Sequence, residues 1–158
     1  MTRHTNRRQF LKRSALAGAG LWAAGACAIA QNRSPNEKLN IGIIGVHSRG
    51  AANMAAVASE NIAALCDVND DYLAEAAKKH PQAKTYVDWR KLLDQKDIDA
   101  VIVSTTEHTH ALASVMAMKR GKHVFCEKPL AHSVYEARVM RETSKKTKVA
   151  TQMGTQIH

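Results

Sequence analysis

The sequence predicts an α/β protein built on one doubly wound parallel sheet. Two observations carry that expectation. Near-continuous apolar runs of strand length recur along the chain, and the stretches between them set apolar residues three and four apart, the spacing of a helix face. Composition adds a third: the apolar share is 45%, yet aromatic residues make up only 4%. A core of Ala, Val, Ile, Leu and Met suits helices packed closely on a sheet, and 158 residues suffice for one such domain.

Taken in order, the strand-like runs are Leu39–Val46, Ile62–Val68, a weaker Thr85–Val87, Ala100–Ser104, His123–Cys126 and Val149–Met153. Leu73, Ala76 and Ala77 mark one intervening helix, and Leu112, Val115 and Met116 another. The punctuation agrees. Lys119 and Arg120 close a helix ahead of Gly121, a good C-terminal stop. Ser133 and Glu136 form a capping box that opens the next helix. Six strands make one complete Rossmann unit. In that sheet the runs ending near Cys66 and Cys126 are separated by two other strands, at about 4.8 Å each, too far for a bridge. Both thiols are therefore expected reduced and buried.

The first thirty residues read as an address. Thr5–Lys12, "TNRRQFLK", matches the twin-arginine export pattern, and the 17 residues from Ser14 to Ala30 are uncharged and mostly Ala and Gly. That run is short and weakly apolar for a membrane span but suits an export signal, with Ala28–Ala30 offering a cleavage site. The alternatives are a basic amphipathic helix or plain membrane anchor, and a lipoprotein signal ending at Cys27. Export would place the mature protein in the periplasm, already folded and holding its cofactor. This leader (1–30) also explains much of the net charge of +9, since it contains Arg3, Arg7, Arg8, Lys12 and Arg13 and no acid. Residues 31–158 carry 18 basic and 14 acidic residues with no basic run, which excludes a nucleic-acid partner. A polar linker, 31–38, precedes the sheet domain at 39–158.

Between the first strand and its helix lies "GVHSRG". In a dinucleotide-binding turn, G-x-G-x-x-G, the first glycine permits the bend, the second lets backbone approach the pyrophosphate, and the third lets helix pack on strand. Gly45 and Gly50 fill the first and third roles, while His47 occupies the middle one, with Val46, Ser48 and Arg49 completing the turn. Arg49 could offer a charge-assisted bond to phosphate or be a solvated turn residue. Asp67, 22 residues after Gly45 at the end of the second strand, is placed to accept from the adenosine ribose hydroxyls. An acid there repels a 2′-phosphate, so NAD is preferred to NADP.

Loops at the other strand ends should line the same crevice. One brings Ser104, Thr105, His108 and His110; the other brings Glu127, Lys128 and Pro129. Two histidines without a third ligand favour contact with phosphate or ribose, or helix capping, over a metal site.

These pieces together resemble the N-terminal half of the glucose–fructose oxidoreductase, inositol dehydrogenase and MocA family (Gfo/Idh/MocA). "IGIIGVHSRG", "ALCDV", "VIVSTTEHTHA", "CEKPLAHSVYEAR" and "VATQMG" stand in register across 39–158. The Glu127–Lys128–Pro129 element weighs most, and twin-arginine leaders recur among exported members. The resemblance implies a domain binding NAD(H) or NADP(H), with Lys128 near nicotinamide and substrate, assisting orientation and proton transfer. Departures are His47 and Ser48 in the glycine turn, Thr106 and Glu107 where the family commonly has Pro-Asp, and Thr155 where exported relatives often have Asn. Family members continue into a second α/β domain that holds the substrate. The chain given is thus expected to be a fragment that binds cofactor and turns over slowly or not at all, its uncovered sheet face favouring self-association. The expected activity is hydride transfer to or from a sugar, polyol or related carbohydrate. The alternatives are NAD-dependent glycoside hydrolysis and a non-catalytic nucleotide-binding module.

Overall fold

A computed structural model describes residues 37–155. The twin-arginine segment, Cys27 and most of the linker lie outside the described residues.

Six strands alternate with five helices: β1 (Asn40–Ile44), α1 (Arg49–Ala56), β2 (Asn61–Cys66), α2 (Asp70–Lys79), β3 (Lys84–Tyr86), α3 (Trp89–Asp94), β4 (Ala100–Val103), α4 (Glu107–Lys119), β5 (His123–Glu127), α5 (Val134–Thr147) and β6 (Thr151–Gly154). The strands pair in the order β3-β2-β1-β4-β5-β6, and every neighbouring pair is parallel. Each strand therefore needs a crossover, which the helices supply. This is a Rossmann-like, doubly wound sheet. The order reverses between β1 and β4, and the loops leaving those strands diverge there to open a crevice at the carboxyl edge.

Sequence explains the boundaries. β1 stops at Ile44 because Gly45 takes φ +87, outside the strand region. Asn69 caps α2 by accepting from the amides of Asp71 and Tyr72, and Asp70 and Asp71 in its first turn oppose Lys78 and Lys79 in its last. The expected capping box at α5 is present, with Ser133 and Glu136 bonded reciprocally. β6 begins at Thr151 rather than Val149, because Lys148 closes α5 at φ 57 and Ala150 donates to Nδ1 of His123.

Two apolar layers enclose the sheet. On one face Met54 of α1 and Leu73 and Ala76 of α2 pack on Ile41, Ile43 and Leu65. On the other, α3, α4 and α5 bring Leu92, Ala113 and Met140 against Val101, Val103 and Cys126. Beyond α1, Ile102, Phe125 and Gln152 floor an open apolar hollow of about 400 Å³. Cys66 and Cys126 are both free and buried, on β2 and β5 with β1 and β4 between them. Burial, with Asp67 and Asp88 nearby, pushes the Cys66 thiol up to about 12. No described helix is long and apolar enough to cross a membrane.

Candidate functional site: a dinucleotide crevice at the carboxyl edge of the sheet

The turn after β1 is shaped by what its glycines lack. A Cβ on Gly45 would sit 2.5 Å from the Ser104 carbonyl oxygen, and one on Gly50 would overlap the carbonyl of Gly45 itself. The backbone of β1, the start of α1 and the loop after β4 can thus approach one another only with glycine at both places. Ser48, the residue ahead of α1, has φ 49 and ψ −112, a conformation that suits glycine and strains an L residue. No side chain caps α1 and no acid stands in its first turn. Gly50 N donates back to the His47 carbonyl and Ala52 N to that of Ser48, so the first turn of α1 has backbone partners but no side-chain cap or acid competing with an anion.

Asp67 follows β2 and is fixed by backbone. Its Oδ2 accepts from Val46 N at 3.0 Å and its Oδ1 from Asn69 N at 3.0 Å, joining the glycine turn to the loop after β2. His47 points outward and stacks on Tyr72 of α2, with ring centroids 3.8 Å apart and planes within 7°. The side chain at the middle glycine position is thus accommodated at the rim. These residues, with Arg49, Ser104 and Thr105, line a crevice of about 440 Å³ that reaches Val68 and Trp89.

The turn after β5 is held differently. The Glu127 carboxylate is 3% exposed. Its Oε1 accepts from Arg49 Nε at 2.9 Å and Asn53 Nδ2 at 2.9 Å, and its Oε2 from Lys128 N at 3.2 Å. Burial pushes its pKa up, but the bonds from Arg49, Asn53 and the Lys128 amide outweigh that and hold it low. Asn53 also reaches Ser104 Oγ at 2.9 Å. One carboxylate therefore ties α1 to the backbone of Lys128, whose side chain is exposed. The Lys128–Pro129 peptide is cis.

The structure brings most of the expected residues together and places three of them away from the crevice lining. Gly45, Val46, His47, Ser48, Arg49, Gly50, Asp67, Ser104 and Thr105 surround the crevice or build its turn. Glu127, expected at the cofactor, is turned inward to α1, because Arg49 and Asn53 supply donors there that offset its burial. His110, expected at phosphate or ribose or as a helix cap, is buried between two backbone carbonyls, those of Thr105 and Pro129. His108 lies exposed in the first turn of α4, near the Thr106 hydroxyl and outside the crevice lining. No cluster of three metal-ligating side chains occurs among the described residues. Asn53 and Tyr72 were not anticipated. Asn53 had a signal: it is a polar residue on the buried face of an Ala-rich helix, beside Gly50 and Met54.

Residues 39–155 match the family described as "Oxidoreductase family, NAD-binding Rossmann fold". The chain belongs to the Gfo/Idh/MocA family. It is 35% identical to a glycosyl hydrolase family 109 protein of Solibacter usitatus, over 90% of this chain and 37% of that protein. It is 32% identical to the levoglucosan dehydrogenase of Pseudarthrobacter phenanthrenivorans, over 69% of this chain and 31% of the relative. Among solved structures, a levoglucosan dehydrogenase in complex with NADH and levoglucosan superposes with TM-score 0.69 at 30% identity, covering 74% of this chain and 35% of that one. The chain spans about a third of the length of these relatives. It is an NAD-binding portion of a dehydrogenase family, and the crevice fits that cofactor: two glycine positions where any Cβ would collide, a helix start with no side-chain cap, and a fixed carboxylate at the end of β2.

Proposed function

We propose that this chain is the cofactor-binding part of an exported oxidoreductase that moves a hydride between NAD and a sugar, polyol or related carbohydrate. The observation that carries the reading is the placement of Lys128. It stands exposed at the end of β5, and Glu127 anchors its amide to the α1 helix that opens from the glycine turn. Relatives named for their action on inositol and levoglucosan support the substrate class.

The bound nicotinamide supplies the hydride chemistry. The chain's own residues do the rest. The start of α1 and the part of the Arg49 guanidinium not bonded to Glu127 would hold the diphosphate, and Asp67 would accept from ribose hydroxyls while disfavouring a 2′-phosphate. The Lys128 ammonium orients the substrate hydroxyl and assists movement of its proton. Export rests on Arg7 and Arg8 of the leader.

Titration of the full chain with NAD and NADP by calorimetry tests the cofactor part. NAD should bind at least about tenfold more tightly, and Asp67→Asn should narrow that gap. Equal affinities would overturn the assignment of Asp67. Fractionating cells that express the chain, with Arg7→Lys/Arg8→Lys as control, tests export; wild-type protein retained in the cytoplasm would overturn it.

A second reading, glycoside hydrolysis through transient oxidation and elimination, is favoured by the glycosyl hydrolase family 109 relative that matches 90% of this chain. The two separate on NADH. Net oxidation accumulates it, whereas hydrolysis restores NAD each turn.

A further inference from the structure

His110 is 1% exposed, near the start of α4, and none of the chemistry above uses it. Its Nδ1 lies 2.7 Å from the Pro129 carbonyl oxygen and its Nε2 lies 3.0 Å from that of Thr105. A carbonyl oxygen only accepts, so each contact requires a hydrogen on the nitrogen facing it. Neutral imidazole carries one such hydrogen and imidazolium carries two. The geometry is satisfied in full only by the protonated ring, and the shorter contact has the length of a charge-assisted bond.

The two carbonyls belong to different loops, of which only the first lines the crevice. Thr105 lies in the loop after β4 that lines it, and Pro129 follows Lys128 directly. The ring bridges the gap between those loops. Its titratable neighbour is Cys126, buried on β5. Burial pushes the His110 pKa down, but the influence of neighbouring Cys126 and the bonds to the Pro129 and Thr105 carbonyls prevail and raise it from 6.5 to about 9.

We propose that His110 is a positioning residue, a buried imidazolium that clamps the Lys128 turn to the crevice wall by donating to the Pro129 and Thr105 carbonyls. The placement of Lys128 at the nicotinamide end rests on the oxidoreductase reading; the clamp itself does not. A change at His110 should accordingly be felt by the part of the cofactor near Lys128 and not by the adenosine end, which Asp67 holds through other bonds.

The first measurement needs no variant. Nitrogen NMR of the full chain labelled at histidine, at pH 7, should find both His110 ring nitrogens protonated. A neutral tautomer would overturn the clamp. The second compares NADH with ADP-ribose, which lacks the nicotinamide. His110→Phe keeps a ring and removes both donors, and it should weaken NADH relative to ADP-ribose by about tenfold, the worth of one charge-assisted bond. His110→Gln, whose amide nitrogen carries two hydrogens, should recover part of that loss. Equal weakening of both ligands, or none, would overturn the positioning role. If His110→Phe fails to fold, the nitrogen spectrum of the wild-type chain still decides. If the wild-type chain binds both ligands equally, the placement of Lys128 fails while the same spectrum judges the clamp separately.

Discussion

The turn after β1 and the turn after β5 are joined through Arg49 and Glu127, yet they are held by opposite means. The first is fixed by the absence of side chains: Gly45 and Gly50 let three backbone segments touch where a single Cβ would intrude. The second is fixed by buried charge, through Glu127 to Arg49 and Asn53 and through His110 to Thr105 and Pro129. The glycine contacts of the steric turn do not themselves depend on protonation. The polar turn is conditional on the ionisation of two side chains. On the proposed reading, Lys128 thus stands on the adjustable support, and the diphosphate would rest on the rigid one.

The sharpest way to break this contrast is Gly50→Ala. The added methyl group overlaps the Gly45 carbonyl, and the backbone must open to admit it. A destabilisation above about 4 kcal/mol is expected, in the range reserved for forced backbone strain, together with loss of NAD binding. Urea denaturation and calorimetry check both. Glu127→Ala comes next. It leaves Arg49, Asn53 and the Lys128 amide without their shared acceptor, which should cost about 3 kcal/mol. If Gly50→Ala proves milder than Glu127→Ala, the steric turn is the softer of the two and the contrast is reversed.

The same contrast governs what could be read from sequence. The strands and the steric turn are legible because their causes are local: apolar runs, a capping box, and glycines spaced along one segment. Gly45, Gly50 and Asp67 declare themselves within 23 consecutive positions. The polar turn was only half legible. Glu127 and His110 were identified as residues of the site, but their partners stand far away in sequence, Arg49 at a separation of 78 and Pro129 at 19. Nothing near a lone glutamate or histidine tells whether it faces a ligand or a helix. Burial decides that, and burial is a property of the assembled sheet. His47 taught a similar lesson, since its stacking partner Tyr72 comes from a helix beyond the next strand.

Titration sharpens the comparison further. The His110 pKa is raised from 6.5 to about 9 in the folded protein. A raised pKa means that folding favours the protonated ring. Its contribution is therefore complete below pH 6.5 and is lost as pH climbs through 9. The shift corresponds to a loss on the order of 3 kcal/mol across that window. Urea midpoints at pH 6 and pH 9.5 should show a larger drop for wild type than for His110→Gln, which has no proton to lose. Equal drops would mean that the alkaline loss arises elsewhere, and the polar turn would no longer be the conditional one.

The smallest effect tests the steric turn from the other side. Ser48 occupies φ 49 and ψ −112, where a Cβ is strained and glycine is not. Ser48→Gly relieves that strain and adds freedom to the unfolded chain, so the net gain should be only about 1 kcal/mol. NAD affinity supplies the discriminating readout. If the turn acts through backbone alone, the variant should be more stable and bind NAD as wild type does. If affinity falls while stability rises, the Ser48 hydroxyl itself meets the cofactor. The turn after β1 would then owe part of its grip to a side chain, and the division between steric and polar supports would have to be drawn within that turn rather than between the two.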